Sequence, residues 1–455
     1  MSQQYKDIYF IGIGGIGMSA IARYYNFKGY RVSGYDKTPS NLTSELEKEG
    51  ISIHYEDNTS YIPSDPDTTL VIYTPAIPSD MEELVYVREH GYKTVKRSKV
   101  LGEISNGQHC LAIAGTHGKT TTSTLLAHIF QTGGGGCSAF LGGISKNWHT
   151  NLLTSHNPVI VAEADEFDRS FLQLHPEIAV ITAMDADHLD IYSDIEHVYE
   201  AFRAFASQVT GTLIVKKGLP IQREDTKATI YTYSYNDPSA DFYAEIQSKD
   251  NCGYFIYDLH WRGNVIEGCR TGVPGWVNVE NSVAASAVAL TFGVDPSAVK
   301  AGLASFEGVW RRFDIHLNTP ALSYIDDYAH HPKEIAAALS SMRDIFEGRR
   351  ITAVFQPHLY TRTRDFAPEF ASALSKADKV ILLDIYPARE EPIPGVTSDI
   401  IFKDITAPEK VMLKREELID YIENEPLDVL VTFGAGNIDR FIEPITDILK
   451  KRLQN

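Results

Sequence analysis

Long apolar runs are missing from this chain, and so is an excess of positive charge. No stretch approaches the ~18 apolar residues of a membrane-spanning helix, and the polar start 1–4 does not fit a signal peptide. A formal net charge of −18 argues against nucleic acid or a membrane surface as a partner. Only four of the 455 residues are cysteines, without disulfide or metal-motif spacing: Cys110, Cys137, Cys252 and Cys269. We expect a cytoplasmic protein with buried or idle thiols.

The length and the pattern of the chain indicate several α/β domains. With 455 residues, of which 43% are hydrophobic, it is long enough for two or three domains with separate cores. Strand and helix patterns alternate almost to the end, which favours parallel sheets covered by helices. Polar or glycine-bearing gaps suggest the domains 1–106, 107–308 and 309–455. Residues 211–265 are rich in Tyr and Thr and alternate, which suggests an antiparallel edge on the central domain.

A glycine loop follows the apolar run 110–114. It reads Gly115-Thr116-His117-Gly118-Lys119-Thr120, and a helix pattern begins at Thr121. In such a unit the backbone N–H groups of the turn and the N-terminus of the helix face one point, which favours a phosphate. The Lys119 ammonium would meet the β- and γ-phosphates, and the Thr120 hydroxyl would bind magnesium. Ile113 stands where the first glycine of the usual loop belongs, so a turn that merely opens a helix is the alternative. We interpret the segment as an ATP site.

A second glycine loop lies near the start of the chain. The strand pattern 8–11 leads into Gly12-Ile13-Gly14-Gly15-Ile16-Gly17, a helix pattern follows, and the next strand ends at Asp36. This is the layout of a dinucleotide-binding βαβ unit, although the spacing by itself also fits a tight structural turn. Another buried strand, 70–73, ends at Thr74-Pro75-Ala76. Because open α/β sheets bind ligands at the carboxyl ends of their strands, this turn is a predicted second wall.

Two further strand patterns end in acidic residues. The run 158–162 leads into Glu163-Ala164-Asp165-Glu166, and the run 178–182 leads into 185–190, which contains His188. In a parallel sheet both ends open on the side of the phosphate loop, where carboxylates would bind magnesium and offset charge on the γ-phosphate. Solvated helix caps are the alternative, above all for Asp165, Glu166 and Asp190. His188 is a candidate metal ligand or phosphate donor, with a packed histidine as the alternative.

Six motifs in order resemble the Mur ligase family, whose ATP-dependent enzymes add amino acids to the peptidoglycan precursor. The motifs are 115–122, 163–166, 187–190, 278–285, 311–313 and 326–332. The loop at 12–19 and the histidines at 330 and 331 are most similar to family members that join L-alanine to UDP-N-acetylmuramate. The resemblance runs from residue 12 to residue 438. It implies an N-terminal Rossmann-like domain for the UDP-sugar, a central P-loop ATPase-like domain with a mostly parallel sheet, and a C-terminal Rossmann-like α/β domain.

The resemblance also implies a reaction and a role for each matching residue. ATP with Mg2+ phosphorylates the substrate carboxylate, and the amino group of alanine then displaces phosphate. The implied catalytic residues are Lys119, Glu163, His188, Arg311 and Arg312. The implied metal ligands are Thr120, Glu163 and His188. The implied ATP contacts beyond the loop 115–121 are Asn278, Asn281, Arg312, Asp326 and Asp327, with Arg311 and Arg312 as alternatives for the phosphates and Asp326 and Asp327 for ribose. The implied UDP-sugar contacts are Gly14, Gly15, Ile16, Gly17, Asp36, Thr74, Pro75 and Ala76.

A purely structural role is the alternative for several of these residues. The two asparagines also fit helix caps and turns, and the arginines also fit a solvated surface pair. After the strand 351–355, His358 and Arg362 form a predicted cradle for a carboxylate or phosphate, and His331 is predicted for the amino-acid pocket, with a packed histidine after a strand as the alternative. Leu359 stands where the family often has arginine, and Val277 where it commonly has histidine. These departures leave Arg362 as the main candidate of its loop and weaken the case for Asn278.

Three other functions fit parts of the sequence. A recycling ligase that attaches a tripeptide to the same UDP-sugar shares the ATP motifs, although its first glycine loop usually differs. An NAD-dependent dehydrogenase fits the first βαβ unit and Asp36, but it leaves the loop at 115–120 without a purpose. A non-catalytic nucleotide-binding regulator would bind ATP without alanine-dependent phosphate release. The oligomeric state is not fixed by the sequence, and we expect a monomer or a weak homodimer.

Overall fold

The computed structural model describes residues 5–133, 135–185, 192, 194–388 and 390–454. Three α/β sheets follow one another along the chain. The chain divides into two compact units. The first unit comprises Met1–Glu245, Tyr257–Arg270 and Glu280–Glu307, and the second comprises Ile246–Ile256, Thr271–Val279 and Gly308–Asn455. The predicted boundaries at residues 106 and 308 stay predictions.

The first sheet has five parallel strands in the order β3-β2-β1-β4-β5. Its strands are β1 Asp7–Ile11, β2 Arg31–Tyr35, β3 Ser52–His54, β4 Thr69–Tyr73 and β5 Lys93–Lys96. Its helices are α1 Ile16–Phe27, α2 Asn41–Lys48, α3 Glu82–Glu89 and α4 Arg97–Ser105. The strands and the helix predicted around the first glycine loop are therefore present, and the order 3-2-1-4-5 is that of the first five strands of a doubly wound dinucleotide-binding sheet.

The second sheet is longer and mostly parallel. Its strands are β6 His109–Ala114, β7 Ser138–Ser145, β8 Thr150–Leu153, β9 Val159–Ala164, β10 Ile178–Ile181, β11 Thr212–Lys216, β12 Thr229–Ser234, β13 Phe242–Lys249, β14 Phe255–Trp261 and β15 Asn264–Arg270. Their order is β15-β14-β13-β12-β11-β10-β6-β9-β7-β8, and the edge pair β7–β8 is antiparallel. The helices are α5 Lys119–Thr132, α6 Ile195–Ser207, α7 Trp276–Phe292 and α8 Pro296–Ser305.

The prediction of an antiparallel edge over 211–265 is wrong for its first three strands. β11 pairs with β12 in parallel, with Thr212 opposite Thr229, and β12 pairs with β13 in parallel, with Tyr233 opposite Phe242. The connection 217–228 is long enough to return the chain to its starting edge, because a parallel connection needs about a dozen residues. Alternating Tyr and Thr side chains therefore indicate a half-exposed strand and carry no information on its direction.

The third sheet lies within the second compact unit. Its strands are β16 Asp314–Asn318, β17 Ser323–Asp327, β18 Ile351–Phe355, β19 Lys379–Leu383, β20 Glu409–Leu413 and β21 Val429–Phe433, in the order β16-β17-β21-β18-β19-β20. Only the edge strand β16 is antiparallel to its neighbour among the pairs of this sheet. The helices are α9 Pro332–Ile345, α10 Tyr360–Asp365, α11 Ala367–Leu374, α12 Asp399–Phe402, α13 Leu418–Asn424 and α14 Ile442–Gln454. The three-domain α/β fold class is thus confirmed.

Short 3-10 helices and buried thiols complete the description. The 3-10 helices span Thr59–Tyr61, Phe167–Gln173, Arg223–Asp225, Arg415–Glu417 and Asn437–Phe441. All four cysteines are free; three are buried and Cys252 is half-buried. Within the described ranges, no helix is both long enough and apolar enough to cross a membrane.

A polar junction joins the first two sheets inside the first unit. The side-chain amide of Asn151, on β8, donates to the Ile16 carbonyl at 2.6 Å and to the Ser19 hydroxyl at 2.9 Å, both in α1. Its Oδ1 accepts from Nη1 of Arg23 at 2.5 Å, and Arg23 also pairs with Glu49 at 2.7 Å. Around these contacts one hydrophobic cluster runs through both sheets. The helix behind the first glycine loop is therefore held directly by the central sheet.

A buried polar cluster lies on the other side of the first sheet. The Tyr9 hydroxyl donates to Oε2 of Glu83 at 2.6 Å and lies 2.7 Å from Nε2 of His54. Glu83 also accepts from the backbone N–H of Asn58 at 3.1 Å. Burial raises the pKa of Glu83 to about 7, although both hydrogen bonds oppose that shift. The carboxyl group therefore titrates near neutral pH.

The raised pKa of Glu83 makes the free energy of unfolding decrease as the pH rises. The folded chain holds the Glu83 proton more tightly than the unfolded chain, whose ordinary pKa is 4.5. The stabilisation is complete below that value and is lost as the pH rises to about 7. We expect Glu83→Gln to remove a pH-dependent part of the free energy of unfolding worth roughly 2–3 kcal/mol. Denaturant unfolding between pH 4.5 and pH 8 measures it, and Glu82→Gln, at an exposed neighbour, is the control; equal slopes for Glu83→Gln and the wild type would contradict the prediction.

Candidate active site

The glycine loop at 115–118 joins β6 to α5, as predicted. Gly115 has φ of +136° and Gly118 has φ of +81°, conformations that L side chains rarely adopt. A Cβ at Gly115 would lie 2.1 Å from the Thr182 hydroxyl oxygen, and a Cβ at Gly118 would lie 2.8 Å from Oδ1 of Asn281. The Thr182 hydroxyl contacts the carbonyls of Ala114, at 3.1 Å, and His117, at 2.5 Å. Both glycines are therefore required by space as well as by backbone conformation.

The ammonium of Lys119 lies inside this loop. Its Nζ donates to the Gly115 carbonyl at 2.7 Å and to the two carboxylate oxygens of Glu166 at 2.9 and 2.7 Å. The side chain of Lys119 is 13% exposed and that of Glu166 is 2% exposed. Burial lowers the pKa of Lys119, but the carboxylates of Glu166, Asp165 and Glu163 outweigh it and raise that pKa, so the group is charged. Sequence reasoning treated Glu166 chiefly as a helix-cap candidate and missed this pairing.

Glu163 and Thr120 offer oxygen atoms beside the same loop. The Thr120 hydroxyl donates to Oε1 of Glu163 at 3.0 Å, and the Gly142 N–H donates to Oε2 at 3.0 Å. Two hard oxygen ligands fit magnesium, because nucleotide phosphates and water supply the rest of its coordination. His188, the third predicted ligand, lies outside the described residues. Among those that are described, no group of three or more His, Cys, Asp or Glu side chains forms a metal site.

The remaining predicted ATP contacts lie in different surroundings. The hydroxyl of Thr122 donates to Oδ1 of Asn281 at 3.3 Å, which places Asn281 beside the glycine loop. The amide of Asn278 donates to the Pro274 carbonyl at 2.7 Å within the second unit. His117 is largely exposed, with Nε2 3.5 Å from a carboxylate oxygen of Asp185. The hydroxyl of Thr116 accepts from the Asp185 N–H at 3.1 Å, which fixes the turn, and Thr121 is half-buried in the first turn of α5.

The first glycine loop brings its predicted residues together. The Gly14 N–H donates to Oδ2 of Asp36 at 2.7 Å. A Cβ at Gly12, where φ is +87°, would lie 3.0 Å from Cγ2 of Thr74, so the predicted second wall adjoins the loop. Gly15 is the N-cap of α1, followed by Ile16 and Gly17 in its first turn. Pro75 and Ala76 follow Thr74 in an exposed turn.

Arg97 is a basic residue that sequence reasoning missed. It begins α4, and a Cβ at Gly17 would lie 2.7 Å from its Nη1. Its Nη2 is 3.6 Å from Oδ2 of Asp165. Arg97 therefore lies between the start of α1 and the acidic end of β9. Its position in the chain, next to three lysines and far from both glycine loops, gave no signal of this placement.

In the second unit, Arg311 and Asp326 bind each other. Nε of Arg311 donates to Oδ2 of Asp326 at 2.9 Å, Nη2 donates to the Gly434 carbonyl at 2.5 Å, and both residues are buried. Arg312 is exposed and Asp327 is half-buried. Burial raises the pKa of Asp327 to about 6, against the opposing effect of Arg312. Arg312 and Asp327 are therefore the more exposed members of their pairs, and the Asp327 oxygens accept from the Phe313 and Ala329 N–H groups at 2.9 and 2.8 Å.

The C-terminal histidines and arginines gather around His330. The ring of His330 lies 6.1 Å from that of His358, and burial, Arg362 and Arg312 lower its pKa although Glu334 opposes them. His331 is the N-cap of α9, where its Nδ1 accepts from the Lys333 N–H at 3.3 Å. Of the two adjacent histidines, His330 is the one sequence reasoning left out of the pocket. Leu359 precedes α10 with φ of +70°, a strained conformation at the position that departs from the family pattern.

A three-domain α/β chain carries a strand–glycine loop–helix unit in the middle of a mostly parallel sheet, with a buried lysine and a threonine–carboxylate pair at its end. Three family descriptions match the chain: "Mur ligase family, catalytic domain" over 7–109, "Mur ligase middle domain" over 113–289, and "Mur ligase, glutamate ligase domain" over 311–436. The chain belongs to the Mur ligase family.

Individual relatives cover the whole chain. It is 52% identical to a UDP-N-acetylmuramate–L-alanine ligase of Parabacteroides distasonis, over 98% of this chain and 98% of that protein. It is 49% identical to the ligase of the same name from Porphyromonas gingivalis, over 98% and 99% of the two chains. A crystal structure of UDP-N-acetylmuramate-alanine ligase from Thermotoga maritima superposes with a TM-score of 0.81, at 27% identity and over 98% and 99% of the two chains. The family prediction is confirmed.

The contact between Gly142 and Glu163 generates a prediction. A Cβ at Gly142 would lie 2.3 Å from Oε2 of Glu163, so Gly142→Ala must move that carboxylate. Moving a group that orients a metal ligand typically weakens metal affinity about 10–100-fold. We therefore expect a higher Mg2+ concentration at half-maximal phosphate release, measured by Mg2+ titration. Ser145→Ala, in the same strand, is the control. An unchanged Mg2+ requirement in Gly142→Ala would remove Glu163 from the metal site.

Proposed function

We propose that the chain joins L-alanine to the carboxylate of UDP-N-acetylmuramate in peptidoglycan precursor synthesis and forms ADP and phosphate from ATP. The observation that carries the proposal is the 52% identity, along the whole chain, with a ligase of that name. The buried lysine in the glycine loop and the adjacent Thr120–Glu163 contact support the use of ATP. ATP and Mg2+ are the proposed cofactors, and L-alanine and UDP-N-acetylmuramate are the proposed substrates.

The proposed chemistry needs an activated carboxylate. A carboxylate acylates amines poorly at neutral pH, so an oxygen of the substrate carboxylate attacks the γ-phosphorus and ADP leaves. The alanine amine then attacks the resulting acyl phosphate, inorganic phosphate leaves, and the amine gives up a proton. Lys119 would hold the phosphates, and Thr120 and Glu163 would hold magnesium, whose charge offsets that of the phosphates. Positioning and charge neutralisation then account for most of the rate.

The proposed contacts are those that the sequence indicates, taken together with the surroundings of the described residues. Gly14 to Gly17, Asp36 and the turn 74–76 would hold the UDP-sugar at the start of α1, because helix N-termini favour phosphates. In the second unit, Arg312 and Asp327 would contact ATP, since Arg311 and Asp326 are engaged with each other. His331, His358 and Arg362 are proposed for the substrate carboxylate and the amino acid. Asn278, Asn281 and His188 keep their proposed roles toward adenine and the metal.

Three further properties belong to the proposal: the location of the protein, its partners and its oligomeric state. We propose that the protein acts in the cytoplasm and that it needs neither nucleic acid nor a membrane as a partner. The net charge of −18 supports the absence of nucleic acid. A monomer or a weak homodimer is the proposed oligomeric state.

Phosphate release tests the reaction directly. The full chain is incubated with ATP, Mg2+ and UDP-N-acetylmuramate, with and without L-alanine, glycine, L-serine or the recycled tripeptide. We expect release that depends on both the UDP-sugar and L-alanine. Glycine and serine should react more slowly, although one methyl group contributes only ~1–3 kcal/mol of discrimination.

The tripeptide arm separates the proposal from its closest alternative. A murein peptide ligase from Psychrobacter arcticus shares the fold, with a TM-score of 0.69 at 22% identity. Turnover with the tripeptide and none with alanine would replace the proposed function by that of a recycling ligase. Nucleotide binding without any amino-acid-dependent turnover would point to a regulator.

Variants in the two glycine loops test the proposed division of labour. Lys119→Ala should lower the rate of ligation about 10²–10³-fold or more, because it removes a preorganised charge from the phosphates. Gly17→Val should instead weaken binding of the UDP-sugar and leave ADP binding unchanged. The reason is that the valine side chain must displace the Arg97 guanidinium at the start of α1. Calorimetry with each ligand and steady-state kinetics measure both effects.

The buried partner of Lys119 calls for a stability control. Lys119→Ala removes the ammonium that contacts the buried Glu166 carboxylate, and loss of one partner of a buried ion pair is strongly destabilising. The double variant Lys119→Ala/Glu166→Gln removes that cost, and it should regain thermal stability while it stays inactive. Near-normal turnover in either variant, or unchanged UDP-sugar affinity in Gly17→Val, would contradict the assignment of the two loops.

A further inference from the structure

Glu166 has no role in the proposed reaction, yet its side chain is among the most deeply buried charged groups near the glycine loop. It follows β9 and precedes the 3-10 helix Phe167–Gln173. Its backbone carbonyl accepts from the Tyr192 hydroxyl at 2.6 Å and from the Arg169 N–H at 2.9 Å. Two hydrogen bonds thus hold its backbone carbonyl, and the carboxylate contacts Lys119.

The contact with Lys119 uses the whole ammonium group. An ammonium has three N–H donors and no acceptor. The three contacts of Nζ, to the Gly115 carbonyl and to the two oxygens of Glu166, match those three donors. A phosphate oxygen that approaches Nζ must therefore replace at least one of them, and it must do so beside a negative charge.

The neighbouring carboxylates differ from Glu166 in this respect. Glu163 accepts from Thr120 and Gly142, and Asp165 faces Arg97 at 3.6 Å. Both raise the pKa of Lys119 through their charge, but Glu166 makes the largest electrostatic contribution of the three and is the one hydrogen-bonded to Nζ. Glu166 is thus the carboxylate in direct competition with a phosphate.

We propose that Glu166 is an internal competitor for the ammonium of Lys119, so that its carboxylate lowers the affinity of the chain for nucleotides that carry a β-phosphate. The inference rests on the proposed function in one respect, namely that Lys119 binds the phosphates. The competing contact keeps the lysine charged, extended and inside the loop, and nucleotide binding transfers the ammonium from carboxylate to phosphate. Glu166 is in this sense a positioning residue that also sets the threshold for nucleotide binding.

Glu166→Gln tests the competition because it keeps the shape and removes the charge. A hydrogen bond to a charged group is worth about 1.5–3 kcal/mol, so we expect ADP and a non-hydrolysable ATP analogue to bind on the order of tenfold more tightly or better. AMP lacks the β-phosphate, so its affinity for the variant should increase little. Calorimetry on the full chain with Mg2+ measures all three ligands.

Two further variants separate contact from charge and from folding. Asp165→Asn removes the same charge nearby without touching Nζ, and it should change ADP affinity much less than Glu166→Gln does. Glu166→Asp keeps the charge but shortens the side chain, and it should strengthen ADP binding by less than Glu166→Gln. The melting temperature of each variant is recorded so that a loss of fold is not read as a loss of affinity.

The outcomes are distinguishable from a failure of the proposed function. If Lys119→Ala does not weaken ADP binding, the assignment of the phosphate loop fails and the inference fails with it. If Lys119→Ala weakens ADP but Glu166→Gln binds it equally or less tightly than the wild type, the inference alone is overturned. The same holds if AMP gains as much as ADP, or if Asp165→Asn has the same effect as Glu166→Gln.

Discussion

One buried positive charge organises the centre of this molecule. Lys119 carries its ammonium into a chain whose net charge is −18, and a carbonyl and two carboxylate oxygens surround it. Burial of a lone ammonium would be prohibitive, so the loop, the end of β9 and Lys119 must take their positions together. The two left-handed glycines allow the backbone carbonyl to turn inward toward that charge. The geometry that we propose for phosphate binding therefore also stabilises the Lys119 ammonium within the fold.

The strand order explains why so many polar groups converge there. β6 lies between β9 and β10, so the glycine loop is flanked by the strand that ends at Glu163 and by the strand that leads to Thr182. All three strands are parallel, and their carboxyl ends share one edge. The sequence could predict this convergence because apolar runs that each end in glycine or acid mark strand ends, and parallel sheets align such ends.

What the sequence could not predict depends on distant side-chain pairs and on the path of connections. Glu166 looked like a helix cap because local pattern says nothing about a lysine forty-seven positions earlier in the chain. In the sequence, Arg311 and Arg312 are equivalent candidates for the phosphates. The fold distinguishes them, because it buries Arg311 against Asp326. Likewise, the alternating Tyr and Thr residues of β12 do not fix its direction, and only the return path at 217–228 decides its parallel pairing with β11. Arg97 came close to Gly17 through packing alone.

The amide of Asn151 has a consequence for how such a chain can change over generations. It ties the first turn of α1 to β8, and the ring of Tyr24 packs against Phe140 beside it at 5.4 Å. Exchange of the first hundred residues with those of a distant homologue would separate residues that contact each other across the polar junction between the first two sheets. A recombinant gene would then inherit Arg23 without Asn151, or the reverse. The first two sheets should therefore be passed on as one hereditary block.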